Sequence, residues 1–236
     1  MKFQFIKSLC LWTLLSQPLL ATYSIVAVDR QTRQVGGAVT SCVAGRSVAL
    51  VYRGLPGVGA VHAQAYSNRQ GRDRAIQLLA NGATHEQALN AIVSANFDAS
   101  ASWRQYGIVT FDGASGYTGS RNGFYASDVQ FVGERFVYSA QGNILTSAKV
   151  LSQTQQGFGQ ISCDLAGRLM NALEWGARNG EGDSRCRPGS ASDAAFLQVD
   201  LPDGRPLVRL DVKGSRRPIA ELRQQFNRWR LRNPCQ

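Results

Sequence analysis

Tyr23-Ser24-Ile25-Val26-Ala27-Val28 and Val35-Gly36-Gly37-Ala38-Val39-Thr40-Ser41 are two β-rich runs flanking the polar segment Asp29-Arg30-Gln31-Thr32-Arg33-Gln34. Aromatic and β-branched residues suit a pleated strand, and a short polar segment between two such runs predicts a hairpin. Upstream, Lys2 and Lys7 form a short positive region, Leu9 to Leu15 an apolar one, and Leu19-Leu20-Ala21 ends on a small residue. That order is an export signal cleaved after Ala21; the apolar run is too short to anchor the chain, and Gln17-Pro18 breaks it. The domain layout follows: residues 1–21 a cleaved signal peptide, 22–212 the folded domain, and 213–236 a basic C-terminal helix and tail packed on it. The mature chain starts at Thr22, inside a strand.

Downstream, Ser47 to Tyr52 and Val58 to Ala63 read as strands around the turn Gly54-Leu55-Pro56-Gly57. A helix runs from about Arg72 to Asn81-Gly82, and Thr84-His85-Glu86-Gln87 is a capping box opening a second helix. Strands follow at Tyr106 to Phe111, Gly116 to Thr118, Val129 to Val132 and Phe136 to Tyr138. Asn143 to Gln155 and Asp164 to Ala177 read as helices, the latter with Leu165, Leu169 and Leu173 at every fourth position. Ala194 to Val199 and Leu207 to Val212 bracket the turn Pro202-Asp203-Gly204. Pro218 opens a last helix whose Ile219, Leu222, Phe226 and Trp229 share a face. Strands and helices come in blocks rather than alternating, which disfavours a doubly wound parallel sheet and favours an α+β fold of two antiparallel sheets covered by helices.

Of 236 residues, 44% are hydrophobic and 18% charged, enough apolar content for one sizeable core. No uninterrupted apolar run reaches the roughly 20 residues of a spanning helix, which excludes a multi-span membrane protein. Basic residues outnumber acidic ones 26 to 16, and only Lys2, Lys7, Lys149 and Lys213 are Lys; the rest are Arg, which suits planar contact with carboxylate or phosphate. Cleavage removes Cys10 and leaves Cys42, Cys163, Cys186 and Cys235. Four cysteines in an exported chain predict two disulfides, for which three pairings exist. We expect Cys163 with Cys186, clipping a helix to the following loop, and Cys42 with Cys235, tying down the tail. No C-x-x-C spacing occurs and His62 and His85 are the only histidines, so neither a metal nor another cofactor is expected.

Familiar catalytic signatures are absent: no G-x-S-x-G, no phosphate-binding G-x-x-x-x-G-K-[ST] loop, no H-E-x-x-H. His62 reads as a packed strand histidine and His85 as a solvated helix residue. Thr22 remains, because a hydroxyl whose own α-amine is free needs no histidine or metal. An α-amine with an ordinary pKa of about 7.7–8.0 can take the hydroxyl proton directly or through a water.

Thr22-Tyr23-Ser24-Ile25-Val26-Ala27, Gly57-Val58-Gly59-Ala60-Val61-His62-Ala63-Gln64-Ala65 with Asn68, Arg104-Gln105, Thr118-Gly119, Gln141-Gly142-Asn143, and Gly182-Asp183-Ser184-Arg185 before Ser192, taken in this order, resemble the domain of unknown function 1028 (DUF1028) family. The resemblance spans essentially the whole mature chain. It implies membership of the N-terminal-nucleophile (Ntn) hydrolase superfamily and a four-layer αββα sandwich. It further implies Thr22 as nucleophile, with Gln64, Asn68 and Asn143 as candidates for substrate or oxyanion contacts. Arg53 stands where a cation would lower the nucleophile's pKa, Ser41 is a candidate for orienting the amine, and Asp183 lies near the substrate.

From Lys213 to Gln236 seven basic residues meet one acid, Glu221. In an exported protein, periplasmic or secreted, such a tail points to an anionic envelope surface rather than to nucleic acid, for which no motif is present. Two functions follow: an exported hydrolase acting on a small-molecule or peptide-like amide through Thr22, or a non-catalytic envelope module binding through its basic tail. The oligomeric state stays open.

Overall fold

Alternation sorts the side chains of β1 (Thr22–Asp29) between two cores. In the computed structural model, which describes residues 22–43, 45–160, 164–187 and 189–235, Tyr23, Ile25 and Ala27 join one apolar cluster, whereas Val26 and Val28 join another. Every residue of the strand is buried. The export signal expected over residues 1–21 lies outside the described residues.

The elements that follow are β2 (Gln34–Ser41), β3 (Tyr52–Leu55), β4 (Gly59–Ala65), α1 (Arg69–Ala80), α2 (His85–Val93), β5 (Arg104–Thr110), β6 (Ala114–Thr118), β7 (Ser127–Val132), β8 (Phe136–Asn143), α3 (Lys149–Gly159), α4 (Leu165–Gly176), β9 (Ala194–Asp200), β10 (Pro206–Val212) and α5 (Pro218–Arg230). They build two antiparallel sheets. One has six strands in the order β10-β9-β2-β1-β8-β7, the other four in the order β3-β4-β5-β6. The expected hairpin forms β1 and β2, with Thr22 opposite Ser41 and Asp29 opposite Gln34.

Three apolar clusters hold these elements together. In the first, Tyr23 and Ile25 meet Val150, Phe158, Leu165, Leu169, Leu173, Ile219, Leu222 and Phe226, so α3, α4 and α5 cover one face of the larger sheet. The predicted fourfold spacing of Leu165, Leu169 and Leu173 is that buried stripe. The second cluster joins the sheets through Val26, Val28, Val39, Tyr52, Ala60, Val109 and Phe196. The third packs Ala75, Leu79, Ala88 and Ile92 of α1 and α2 on Val61, Tyr106 and Ile108. The capping box forms as expected, with Thr84 Oγ1 accepting from the Gln87 amide and Gln87 Oε1 from the Thr84 amide.

Some boundaries differ from expectation. Ser47–Val51 is not a strand: Ser47 Oγ accepts the Ala49 amide and donates to Asp211, closing a short turn, and the strand starts at Tyr52. The first helix begins at Arg69, three residues early, because Asn68 caps it by accepting the Gly71 amide. Asn143 ends β8 instead of opening a helix. Ile144 takes a left-handed φ of 52°, and Ser147 Oγ accepts the Lys149 amide where α3 starts.

The disulfide expectation is also corrected. Cys42 pairs with Cys186, not Cys235, across a Cα separation of 5.7 Å. The bridge joins the residue after β2 to the loop between α4 and β9. Cys235 is itself disulfide-bonded, and Cys163 lies outside the described residues. Among the described residues no helix is long and apolar enough to cross a membrane.

A polar bond also ties the two sheets. Tyr52 Oη on β3 donates to Asp200 Oδ2 on β9 at 2.7 Å, and both residues are buried. Tyr52→Phe leaves that carboxylate oxygen without its inter-sheet donor and should lower stability by about 1–3 kcal/mol. Urea unfolding monitored by circular dichroism measures the loss; an unchanged midpoint would remove this bond from the list of what holds the sheets.

Candidate functional site

Thr22 heads a central strand, paired with β2 on one side and β8 on the other. The same register row places Thr22 opposite both Ser41 and Asn143. Strand alternation puts Thr22 and Ser24 on the face of β1 that carries Val26 and Val28, toward the smaller sheet. Thr22 Oγ1 donates to Ser41 Oγ at 3.0 Å, and both residues are buried. Three of the four catalytic candidates, Thr22, Ser41 and Asn143, are thus adjacent.

Behind this row lies a buried polar network. Ser24 Oγ donates to Gln64 Oε1 at 2.6 Å, and Gln141 Nε2 donates to Ser24 Oγ at 2.6 Å. Gln64 Nε2 reaches Gln105 Oε1 at 2.7 Å and the Thr22 carbonyl at 3.3 Å. Gln64 therefore positions the nucleophile candidate through its backbone. Gln105 Nε2 in turn donates to the Gly142 carbonyl at 2.8 Å, which holds the segment next to Asn143. The sheets approach closely here. A Cβ on Gly107 would fall 2.2 Å from Gln141 Oε1, and one on Gly37 would fall 2.4 Å from His62 Nε2.

His62 belongs to this network and is fully buried. Its Nδ1 lies 2.9 Å from Ser24 Oγ, while Nε2 has no partner. Gln141 Nε2 lies 3.1 Å from the same Nδ1, so this nitrogen faces both the Ser24 hydroxyl and an amide N–H. Either neutral tautomer leaves Nε2, as a bare acceptor or as an N–H, unmatched toward Gly37. Burial lowers the imidazole pKa to about 3, so the ring is neutral and structural, in line with its reading as a packed strand histidine.

The other candidates separate from Thr22. Arg53 lies on β3 with its side chain half exposed, 3.6 Å from Asp73, and contributes no cation to the Thr22 row. Asn68 is spent as the cap of α1, and its Nδ2 donates to Asp98 at 2.9 Å. Asp183 holds the other side of the site: its Oδ2 accepts the Cys42 amide and its Oδ1 the Arg185 amide, each at 2.9 Å. Burial pushes its carboxyl above the ordinary value, against these N–H donors and the Arg185 charge. Cys42, Asp183 and Cys186 bring their ligand atoms within 4.8 Å of one another. The two sulfurs are bonded to each other, so the group offers no thiolate for a metal.

The basic tail is partly committed to the fold. Arg223 donates to Glu174 and Asn171, and Arg230 reaches both oxygens of Asp164 at 2.7 Å, so α5 is pinned to α4 and its cap. Ser24, Gln105 and Gln141 were not singled out from sequence as site residues. The period-two alternation that buries Thr22 was the available signal, since it places Ser24 on the same face.

The model of a family of unknown function, DUF1028, matches residues 22–222. The chain is similar to the crystal structure of a DUF1028 protein from Silicibacter pomeroyi, with a TM-score of 0.74, 26% identity and 89% of each chain covered. No curated protein matches.

The low imidazole pKa sets a pH dependence. An unfolded chain protonates His62 below about 6.5, whereas the fold resists protonation down to about 3. The stability that His62 contributes is full above pH 6.5 and falls as pH drops toward 3, by up to about 1.4 kcal/mol per unit. His62→Gln should remove close to one proton from the slope of unfolding free energy against pH between 6 and 4. Identical slopes for the two proteins would show that the ring is protonated in the fold.

Proposed function

We propose that this chain, which belongs to the DUF1028 family of unknown function, is an exported hydrolase that cleaves an amide or related acyl bond with Thr22 as its N-terminal nucleophile. The observation that carries the reading is the position of Thr22: first residue of a central strand, between the sheets, with Oγ1 bonded to Ser41 and Asn143 opposite. The finer fold reading, an αββα sandwich of the Ntn-hydrolase type, is supported by the three clusters that pack helices on sheet, sheet on sheet and sheet on helices.

The chemistry requires processing. While residue 21 is attached, the Thr22 nitrogen is an amide with almost no basicity. Once cleavage frees it, the α-amine accepts the Oγ proton as the oxygen attacks the substrate carbonyl. The same proton passes to the leaving nitrogen as the C–N bond breaks, and water then hydrolyses the ester on Thr22. Ser41 fixes the direction of Oγ1, Gln64 fixes the Thr22 backbone, and Asn143 is the side chain placed to meet the developing oxyanion.

An envelope-binding module without catalysis is the competing reading, resting on the exposed basic residues of the tail. The pinning of Arg223 and Arg230 by α4 and its cap leaves it less charge to work with.

Mass spectrometry of protein recovered from an exporting host should give Thr22 as the first residue. That protein should take up one β-lactone per chain; Thr22→Ala should abolish labelling and Thr22→Ser should retain part of it. A chain carrying one extra residue ahead of Thr22 should fold and not label. Equal labelling of the extended and processed chains would exclude the α-amine as base.

A further inference from the structure

The six-stranded sheet ends beside a cavity. Ser41 pairs with both Thr22 and Ala194, and the cavity lining begins one residue beyond this row, at Cys42 and Asp193. Ladder and chain spacings place Cys42 within roughly 9 Å of Thr22. The cavity has a volume of about 1020 Å³, at the upper end of the usual small-molecule range of roughly 300–1,000 Å³. The Cys42–Cys186 bridge forms part of its wall.

Its charge is one-sided. Among the described residues, Arg185, Arg187 and Arg216 line it against a single acid, Asp193. Asp193 Oδ1 accepts the Val43 amide at 2.7 Å, and the neighbouring Asp183 is held by the Cys42 and Arg185 amides, so both carboxylates already have donors. Arg185 leans on Asp183 at 3.6 Å. The guanidinium groups of Arg187 and Arg216 are exposed and meet no carboxylate among the described residues. Backbone bonds from Ser190 to Arg187 and from Ser215 to Asp193 fix their two loops at the rim. A second observation points to a ligand: Ser192, fully buried and part of the lining, has an Oγ that meets no hydrogen-bond partner among the described residues. An unused hydroxyl in the wall of a cavity that two uncommitted guanidinium groups also line offers, together with them, donors for an oxyanion.

We propose that this cavity receives an anionic group, carboxylate or phosphate, carried by the acyl substrate, with Arg187 and Arg216 as counter-charges and Ser192 Oγ as a hydrogen-bond donor. The inference rests on the Thr22 reading and names the substrate class for that site. Arg recognises both anions through paired N–H donors, and the disulfide holds the cavity wall against the strand that carries Ser41.

Two measurements test it. In the first, processed protein reacts with three β-lactones of one scaffold bearing a methyl ester, a carboxylate or a phosphonate. Thr22 Oγ attacks the lactone carbonyl, the ring C–O bond breaks and the ring oxygen takes the proton. At least one anionic lactone should label about ten-fold faster than the ester, and whichever does so identifies the anion. In Arg187→Gln/Arg216→Gln that ratio should collapse toward one, in Arg187→Lys/Arg216→Lys it should partly survive, and in Ser192→Ala it should fall a few-fold. A ratio near one in the unsubstituted protein, or a ratio unchanged by the Gln pair, overturns the proposal.

The second measurement does not need the nucleophile. Inorganic phosphate or acetate at constant ionic strength should raise the melting temperature of Thr22→Ala relative to chloride, and the Gln pair should abolish that shift. If no lactone labels Thr22 while the shift is present, the hydrolase reading fails and the anion site stands. If neither anion shifts the melting temperature, the anion site is overturned whatever the lactones do.

Discussion

Strand β1 has a hydrogen-bonded neighbour along both edges for its whole length. That double pairing is the constraint on which the rest depends, because it fixes position 22 in the middle of the larger sheet with no freedom to fray. One edge aligns Thr22 with Ser41, the other aligns it with Asn143, and the register follows from the ladders rather than from contacts among the three side chains. A one-residue slip would turn Thr22 and Ser24 toward the helices and break the buried network and the apolar clusters together.

The space between the sheets is divided along its length. Away from Thr22 it is filled by Val26, Val28, Val39 and Phe196. Near Thr22 it is filled by Ser24, His62, Gln64, Gln105 and Gln141, linked by short hydrogen bonds. Polar side chains at such depth are costly unless paired, and these are paired largely with one another. The result is a rigid mount whose bonds end on the Thr22 and Gly142 carbonyls. A neutral imidazole suits that role, since a charged one would need a counter-ion that the network lacks.

Covalent and electrostatic ties act on the opposite side. The Cys42–Cys186 bridge and the Asp183 carboxylate both hold the chain just after β2 to the loop between α4 and β9. Arg223 and Arg230 similarly hold α5 to α4 and its cap. Part of the basic tail is therefore committed to the fold, while Arg187 and Arg216 meet no carboxylate among the described residues.

The sequence by itself determined the elements whose signals are local. Two β-rich runs around a short polar segment gave the first hairpin, and the ladder then set its register with Thr22 opposite Ser41. The capping box at Thr84 and the leucine spacing of α4 are equally local, and the ordered motifs led to the DUF1028 family. What depends on contacts between distant segments was decided only by the tertiary structure. Asn143 reads as a helix start because nothing nearby says that residues 139–143 add to β1, more than a hundred positions earlier. Arg53 reads as a neighbour of the nucleophile until its side chain is seen beside Asp73 of α1, on the face of β3 opposite Tyr52, and Asn68 reads as a ligand group until α1 claims it as a cap. The cysteine pairing and the meeting of Arg187 with Arg216 belong to the same class, because loop closure over such separations leaves no periodicity in the chain, and only packing brings the partners together.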